Sequence, residues 1–531
     1  MPTLNWIGKE AVVNHHHQVP FHLVKDMPDL SVGDPGGGNL IVQGDNLVAL
    51  KALLPYYAGQ VKCIYIDPPY NTGNENWIYN DNVNSPLIRD WLGKTVGKET
   101  EDLSRHDKWL CMMYPRLQLL RQFLHSEEGI IFVTIDDMEI SNLRFIMNEI
   151  FGEQNWFATL VRRSMHTVRN SSKDFNLNVD YTLVYGRNKA WHGENKERYI
   201  RIPVDKTENY PFNDGDGKGR YKLDPLSARN FYTPYEYTFN NGIKWSASAG
   251  RYPAYSQETL TDMERENRIV FKGKEPKVKR YLKDVQVGQP PNALLNPEDV
   301  GFNSHGTTLL RDILGGGAFA QPKPIEFIKH LLTMIQDKNA IILDSFAGSG
   351  TTGHAVLSLN KQDGGNRKFI LVEMEPNIAR DITAERMKRV AEGYTNAKGE
   401  KVEGLGGGFR FCQLGEPLFD QAGKIRETVR FADLARHVYF TETGEPLPRE
   451  RVPNSPLIGI CRGVGIYLLF NGILGDKSAN GGNILTRNIL AQLPKFDGQK
   501  IIYCAGSLLG AKRLQAERIL VRQTPYEIKV S

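Results

Sequence analysis

The chain has 531 residues, of which 40% are hydrophobic and 24% are charged, and its formal net charge is +5. This balance is typical of a globular protein with a large core. No apolar run reaches the roughly 18 residues that a membrane helix requires, and the start lacks the charged-then-apolar pattern of an export signal. An isoelectric point of about 8.7 permits a nucleic-acid partner without demanding one. The length predicts about three domains.

The cysteine and histidine residues do not predict a metal site. The five cysteines are spread along the chain without the spacing of metal ligands, so we expect reduced thiols in a cytoplasmic protein. The run His15-His16-His17 lies in ordinary sequence and is interpreted as a polar loop, not as a metal site or a tag. The cysteines are Cys63, Cys111, Cys412, Cys461 and Cys504.

The first predicted elements begin an α/β core. After an N-terminal arm over residues 1–37, the apolar residues 40–42 predict a short strand, and Gly44-Asp45-Asn46 opens a helix. The apolar run Val61–Ile66 predicts a buried strand.

That strand ends at Asp67-Pro68-Pro69-Tyr70, because two consecutive prolines cannot continue a ladder of backbone hydrogen bonds. A carboxylate, a stiff turn and an aromatic ring therefore stand at the edge of a sheet where ligands bind in open α/β folds. Such a corner suits a flat base with an exocyclic amine. The carboxylate and a backbone carbonyl accept the amine hydrogens while the ring stacks on the base. An ordinary proline-rich turn is the alternative.

The strand–helix alternation continues to about residue 154 and then breaks. A polar, aromatic stretch at 74–107 predicts a long functional loop, residues 109–124 and 141–151 predict helices, and residues 129–135 predict a strand. Alternation over residues 38–154 indicates a parallel sheet.

Residues 155–305 predict an inserted domain of irregular α+β type, because short aromatic and basic segments are separated by Gly and Asn turns. Basic and aromatic side chains together suit contacts with phosphates and stacking on bases, although a solvated surface insertion is the alternative. The candidate DNA-binding residues are Arg162, Arg163, Lys277, Lys279 and Arg280.

Alternation resumes over residues 306–403, where a glycine loop joins a strand at 340–344 to a helix. Glycines at such a junction let a ligand approach the helix N-terminus closely. The spacing also fits a dinucleotide fingerprint, because Glu373 follows Gly353 by 20 residues and is placed to bind ribose hydroxyls. A P-loop is excluded, since Gly353 and His354 stand where Lys and Ser or Thr are required. The loop residues are Asp344, Ser345, Phe346, Ala347, Gly348, Ser349 and Gly350.

Two motifs favour S-adenosylmethionine over a dinucleotide. Phe346-Ala347-Gly348-Ser349-Gly350 resembles the Phe-x-Gly-x-Gly motif of methyltransferases. A dehydrogenase has no evident use for the Asp-Pro-Pro-Tyr corner. Residues 404–531 begin with a glycine-rich hinge at 404–408, contain no chemical motif, and predict a small α/β domain for oligomerisation or partner binding.

The order of these motifs resembles that of the beta class of DNA amino-methyltransferases. Their amino-acid residues are similar to those of the modification subunits of type III restriction systems. The resemblance covers roughly residues 38–395. It implies a doubly wound, Rossmann-like methyltransferase core, with a target recognition domain at 155–305 and a small C-terminal domain. The stretches that carry it are residues 43–47, 66–73, 135–139, 306–310 and 322–324.

The resemblance implies methyl transfer from S-adenosylmethionine to N6 of a flipped adenine in double-stranded DNA. Asp67, Pro68, Pro69 and Tyr70 are then catalytic. The cofactor-binding residues are implied to be Asp45, Lys323, Asp344, Phe346, Ala347, Gly348, Ser349, Gly350 and Glu373. Helix capping is the alternative role for Asp45, a solvated position that for Lys323, and Glu375 is a second candidate for the ribose contact.

Two other functions stay open at this stage. Cytosine N4 is the alternative target, and a DNA-binding specificity subunit without activity is an alternative of another class. The family further implies a homodimer and, as a potential partner, a restriction and helicase subunit.

Overall fold

The structure is a computed structural model of the chain. It describes residues 3–34, 37–71, 94, 104–166, 175–195, 200–202, 207–284, 288–316, 319–447, 452, 454–470, 473–475 and 482–524. Most of the loop predicted at 74–107 lies outside these residues. Within the described ranges, no helix has the length and apolar character to cross a membrane, and no group of three acidic, histidine or cysteine side chains is arranged for a metal ion. All five cysteines are free.

The first third of the chain alternates strands and helices, as the apolar periodicity predicts. Ser104 caps the long fourth helix through a reciprocal capping box with Asp107, so this helix begins four residues before the predicted start. The elements are α1 (Lys9–Val13), α2 (His15–Gln18), β1 (His22–Asp26), β2 (Leu40–Gln43), α3 (Asn46–Tyr57), β3 (Val61–Ile66), α4 (Arg105–Phe123), β4 (Ile130–Ile135), α5 (Ile140–Phe151), β5 (Trp156–Arg163), β6 (Val179–Gly186) and α6 (Lys189–Glu194).

Residues 201–291 form a compact unit of their own. Its three-stranded sheet has the order β12-β13-β7, and Leu226, Phe239, Leu260 and Val278 form its small core. Its elements are β7 (Tyr221–Pro225), β8 (Ser227–Ala228), β9 (Glu236–Thr238), β10 (Lys244–Ser246), β11 (Tyr252–Pro253), α7 (Gln257–Arg265), β12 (Ile269–Lys272) and β13 (Glu275–Tyr281).

After this unit, strands and helices alternate again, and the glycine loop lies in this part of the chain. A π-helical segment, Ile378–Ala384, leads directly into the last helix of this part. The elements are β14 (Leu294–Leu295), α8 (Pro297–Val300), α9 (Asn303–Leu314), α10 (Ile325–Thr333), β15 (Ile341–Asp344), α11 (Thr351–Asp363), β16 (Lys368–Glu373) and α12 (Glu385–Glu392).

The C-terminal part contains a second, smaller sheet with the strand order β20-β21-β23-β25. The elements are β17 (Gly393–Thr395), β18 (Lys401–Glu403), β19 (Arg410–Pro417), α13 (Phe431–Thr443), β20 (Leu457–Cys461), β21 (Val464–Leu468), β22 (Ile484–Leu485), α14 (Arg487–Gln492), β23 (Gln499–Cys504), β24 (Gly506–Ser507), α15 (Ala511–Ala516) and β25 (Ile519–Gln523).

The main sheet has ten strands in the order β1-β19-β2-β16-β15-β3-β4-β6-β5-β14. The six strands from β19 to β4 are parallel, whereas β6 is antiparallel to both β4 and β5. The prediction of a doubly wound α/β core is therefore confirmed.

The strand order reverses between β3 and β15. The chain passes from β3 through α4 to β4 on one side, and from β15 through α11 to β16 on the other. In open α/β sheets, such a reversal opens a crevice at the carboxyl ends of the two strands. Asp67 follows β3 and Asp344 ends β15, so the sequence places both carboxylates at this crevice.

Alternate residues of each strand enter different cores. Ile64 and Ile66 pack with helices α3, α4 and α5 on one face, whereas Cys63 and Tyr65 pack with α10, α11 and α12 on the other. Both faces of the sheet are thus covered by helices, which explains why the central strands are mostly apolar.

Two boundaries differ from those predicted. Strands β5 and β6 lie within the predicted insertion 155–305 but belong to the main sheet, where β6 pairs with β4 and β5 pairs with β6; the separate unit is the narrower segment 201–291. The glycine-rich stretch at 404–408 precedes β19, which pairs with β2 in the main sheet. The close approach of Gly408 to Val32 explains this glycine better than a hinge does, because a Cβ at Gly408 would lie 2.2 Å from the Val32 carbonyl oxygen.

Candidate active site

The Asp-Pro-Pro-Tyr corner is held from behind by helix α4. The Trp109 indole Nε1 donates to the carbonyl oxygen of Pro69 at 2.7 Å, and Trp109 is completely buried. Tyr70 donates its hydroxyl hydrogen to Asp67 Oδ1 at 2.7 Å. The carboxylate and the ring of the corner are therefore held side by side at the carboxyl end of β3.

Lys323 lies in this corner. Its ammonium donates to Asp67 Oδ1 at 3.0 Å, to Asp67 Oδ2 at 2.8 Å and to the Tyr70 hydroxyl at 2.7 Å. It also sits 4.8 Å from the centre of the Tyr70 ring. Lys323 is 7% exposed, so the solvated alternative is wrong. These contacts are with the Asp-Pro-Pro-Tyr corner, and Lys323 lies two residues before the start of α10.

The corner has the electrostatics of a buried polar cluster. Burial, and next to it the negative charge of Asp67, raise the pKa of Tyr70 well above its ordinary value. The phenol is therefore neutral at physiological pH and donates its hydrogen bond to Asp67 instead of acting as a base.

The glycine loop begins with a second buried carboxyl group. Asp344 accepts from the Thr352 hydroxyl at 2.5 Å and from the backbone N–H of Phe346 at 3.0 Å. Burial raises the pKa of Asp344 from 3.8 to about 7, with nearby Asp67 and Glu373 as lesser causes. Asp344 thus supports the loop between β15 and α11 through hydrogen bonds at both of its ends.

Glu373 closes the loop from the neighbouring strand. Its Oε2 accepts from the Gly348 N–H at 2.9 Å, and its Oε1 accepts from the Glu375 N–H at 2.9 Å. Gly348 has φ +50° and Gly350 has φ +77°, a region that residues with a Cβ rarely adopt. The glycines are therefore required by the backbone of the loop, and Glu373 is the acid that lies against it.

Arg386, which the sequence did not single out, lies beneath the loop and is fully buried. It donates to the Ser349 carbonyl at 3.1 Å, the Ser349 hydroxyl at 3.0 Å and the Thr351 hydroxyl at 2.9 Å. Its sequence signal is weak, because an arginine in a helix usually reaches solvent. It fixes Ser349 and the first turn of α11 from below, while Ala347 is also buried.

Asp45 caps α3, accepting from the Val48 N–H at 3.0 Å, and pairs with the buried Arg116 at 3.1 Å. Arg116 also donates to Asn46 at 2.5 Å, and Asn46 in turn donates to the Ser345 carbonyl at 3.0 Å. The capping role that the sequence left open for Asp45 is thus present, and the Asp45 side chain keeps 32% exposure. Arg116 was missed because nothing in its helical pattern marks it as buried.

These elements meet in one narrow cleft at the strand reversal. Its lining includes Asp67 and Lys323 together with the loop residues Asp344, Phe346 and Gly348. The two motifs that the sequence predicts to cooperate are therefore adjacent in the fold.

One predicted DNA-binding residue is corrected by its position. Arg162 is 1% exposed on β5, donates to Asp180 at 2.6 Å and to Asn303 at 2.7 Å, and lies 4.7 Å from the Phe327 ring centre. It cannot reach a phosphate, because it is a core residue of the main sheet. Arg163, next to it, is exposed and donates to the His166 carbonyl at 2.9 Å.

The other three basic candidates lie on β13 in the separate unit. Each has an acidic neighbour within that unit: Lys277 pairs with Glu275 at 2.7 Å, Lys279 with Asp214 at 2.5 Å, and Arg280 with Asp224 at 3.4 Å. Arg280 is the most exposed of the three, with 54% of its side chain accessible.

Comparison with known families agrees with this geometry. Residues 61–385 match the N6/N4 methyltransferase family model, described as DNA methylase. The matched range begins at the first residue of β3 and ends at the start of α12, so it contains both the corner and the glycine loop. The chain belongs to the N6/N4 DNA methylase family. The family predicted from the motifs is confirmed.

Among its relatives, the chain is 32% identical over 365 residues to the StyLTI Mod subunit, a type III restriction-modification enzyme of Salmonella typhimurium; the match covers 66% of this chain and 54% of that subunit. It is 27% identical over 427 residues to the EcoPI Mod subunit of Escherichia phage P1, covering 71% of this chain and 64% of that one. The chain thus matches little more than half of the first subunit.

A solved structure is also similar in part. The match with the PvuII DNA methyltransferase, which is specific for cytosine N4, covers 66% of this chain and 86% of that chain, with 13% identity and a TM-score of 0.33.

Proposed function

We propose that the protein transfers a methyl group from S-adenosylmethionine to the exocyclic N6 of an adenine flipped out of double-stranded DNA. The observation that carries this proposal is the cleft at the strand reversal, whose lining includes Asp67 of the corner together with Asp344, Phe346 and Gly348 of the glycine loop. One motif provides acceptors for an amine, and the other provides a loop that a ligand approaches closely.

The residues of the cleft fit the cofactor. Gly348 and Gly350 take positive φ without strain, and the buried acid Glu373 accepts from the Gly348 N–H. The partly exposed Asp45 carboxylate lies at the start of α3. Glu373 would bind ribose hydroxyls and Asp45 the adenine edge, while Phe346 would cover the ring system. The bound cofactor supplies an activated methyl group on a sulfonium.

The corner residues orient and polarise the amine. Asp67 and the Pro68 carbonyl accept the two amine hydrogens. These hydrogen bonds rehybridise the amine nitrogen, so that its lone pair can act as a nucleophile. These acceptors are already oriented, so they stabilise the positive charge that develops on nitrogen without reorganising. Tyr70 stacks on the base and returns about 1–3 kcal/mol of the cost of flipping. No strong base is required, because the amine proton becomes acidic after methylation.

Lys323 must change partners during this reaction. Its ammonium donates to Asp67, the same acceptor that the corner offers to the amine, and also to the Tyr70 hydroxyl. Base entry therefore displaces these hydrogen bonds, and Lys323 turns toward the glycine loop, where the resemblance places the cofactor carboxylate. The positive charge of Lys323 therefore faces the Asp67 carboxylate before base entry and the cofactor carboxylate after it.

The DNA contacts beyond the target base are proposed to come from residues 155–305, above all from the separate unit at 201–291. Arg163, Lys277, Lys279 and Arg280 are the candidates that stay in this proposal. Neutralising the three residues on β13 together should weaken binding to all DNA sequences and reduce its salt dependence.

The biological setting is proposed from the relatives. Both Mod subunits are named as parts of type III restriction-modification enzymes, so a modification role in such a system, in the cytoplasm, is the best supported. The partners would be a restriction and helicase subunit and a second copy of the chain.

Self-association would use the C-terminal sheet, whose last strand β25 contains Leu520 with 40% of its surface exposed. A molar mass near 60.0 kDa by light scattering at all micromolar concentrations would contradict this proposal.

The experiment for the reaction uses the purified chain, unmethylated genomic DNA and tritiated S-adenosylmethionine. Label in N6-methyladenine after digestion supports the proposal. Label in N4-methylcytosine would assign the alternative base. Cofactor binding without any label would favour a specificity subunit without activity.

A further inference from the structure

A buried carboxylate lies directly behind the catalytic corner. Glu139, between β4 and α5, is completely buried. Its Oε1 accepts from Asn71 Nδ2 at 2.5 Å and from His106 Nδ1 at 2.6 Å, and its Oε2 accepts from Asn142 Nδ2 at 2.8 Å. A buried acid is expensive unless its oxygens are satisfied, and here three donors from three segments satisfy it.

Asn71 is the residue that connects this carboxylate to the corner. It follows Tyr70 immediately and has φ +60°, a conformation uncommon for a residue with a side chain. Its amide also donates to the Arg105 carbonyl at 3.2 Å. The strained backbone of Asn71 is thus held by its own side chain, and the end of the corner is fixed at this point.

The corner is therefore anchored at two successive places. The Trp109 indole holds the Pro69 carbonyl, and Glu139 holds Asn71, so Tyr70 lies between two fixed neighbours. Both anchors involve helix α4, which contributes Trp109, His106 and the Arg105 carbonyl. An aromatic ring that must stack on a base gains from such fixation, because a ring already in place loses little entropy on binding.

We infer that Glu139 is a positioning residue for methyl transfer, and that it orients Tyr70 and Asp67 through Asn71. The inference rests on the proposed function for what the corner does. His106 completes the arrangement: its side chain is 40% exposed, so it connects the buried carboxylate to solvent and supplies the second donor to Oε1.

The competing explanation is that Glu139 only joins α4 to α5. Glu149 offers a matched control, because it lies on the same helix α5, accepts from the Tyr114 hydroxyl of α4 at 2.9 Å and pairs with Lys9 at 2.9 Å, yet has no contact with the corner among its hydrogen bonds. Glu139→Gln keeps the size of the side chain but turns one acceptor into a donor that faces other donors. Glu149→Gln makes the same chemical change away from the corner.

The test measures amide hydrogen exchange in a peptide covering residues 66–71, together with single-turnover methyl transfer and cofactor affinity. In Glu139→Gln we expect exchange in this peptide to rise about tenfold or more, and the transfer rate to fall about 100-fold, since small misplacements of reacting groups have effects of this size. Cofactor affinity should stay within about twofold. Glu149→Gln should match the wild type in all three.

His106 gives an independent check on the same carboxylate. His106→Asn keeps a donor near the position of Nδ1, whereas His106→Leu removes it, so the leucine variant alone should show faster exchange at residues 66–71. Wild-type exchange in Glu139→Gln would overturn the inference, and so would faster exchange spread evenly over α4 and α5. A wild-type protein that methylates no DNA would reject the proposed function, while the exchange comparison would still decide the role of Glu139.

Discussion

Replacing Asp67 by Asn should nearly abolish methyl transfer while leaving the cofactor site intact. The substitution keeps the shape of the side chain but removes the negative charge that faces the amine. Loss of one oriented acceptor for developing charge costs about 3–4 kcal/mol in related catalytic settings, which corresponds to a 10²–10³-fold lower rate. Asp67 follows β3 and is not part of the glycine loop after β15, so the affinity for S-adenosylmethionine should change by less than about threefold.

Lys323 makes this prediction sharper. In Asp67→Asn the ammonium of Lys323, which is 7% exposed, loses its carboxylate partner and stands beside a nitrogen that becomes positively charged. Adding Lys323→Met should therefore recover part of the lost rate, whereas Lys323→Met alone should lower it. Such non-additivity is expected for residues in direct contact.

The assay is single-turnover transfer of tritium to DNA, with cofactor affinity measured by calorimetry. Asp136→Asn is the matched control: Asp136 follows the neighbouring strand β4 and accepts from the Met138 N–H at 3.0 Å, a bond that Asn retains. It should transfer at the wild-type rate. A rate in Asp67→Asn within about threefold of wild type, or effects of Asp67→Asn and Lys323→Met that simply add, would refute the reasoning.

Further predictions concern the loop, the pH dependence and the recognition unit. Gly350→Val should abolish cofactor binding in calorimetry, because φ is +77° and a Cβ would lie 3.2 Å from Thr383 Cγ2; retained affinity would contradict this. The folded protein holds a proton on Asp344 between pH 3.8 and about 7 that the unfolded chain has released, so stability should fall as the pH rises through this range. Asp344→Asn should flatten the dependence of the urea midpoint on pH, and an unchanged slope would count against the burial of this charge. Exchanging residues 201–291 with those of a relative should move the methylated site and keep the modified base, whereas an unchanged site would place recognition elsewhere.

Much of the core and of the site was predictable because the signals are local. Apolar runs of strand length, the prolines that end β3 and the glycines that precede α11 each act within a few residues. Parallel strands then bring Asp67 and Asp344 to one edge without further information. The sheet therefore agrees with the prediction, including the adjacency of the corner and the loop.

The misassigned positions depend on contacts distant in sequence. From the sequence alone, Arg162 resembles a residue that contacts phosphate, but in the structure Asp180 and Asn303 enclose it. The sequence predicts that Lys323 lies near the cleft but does not predict its contact with Asp67. The strand β19 was missed because its partner β2 lies roughly 370 residues earlier in the chain. Glu139 and Arg386 carry no local sign of burial, since each is satisfied by donors or acceptors from other elements.

The most direct test of the account is to treat unmethylated genomic DNA with the purified protein and S-adenosylmethionine, and to sequence the product with detection of single modified bases. The account predicts N6-methyladenine at one short recurring site, and no modification by Asp67→Asn under the same conditions. Modification confined to cytosine, or the same adenine pattern produced by Asp67→Asn, would contradict it.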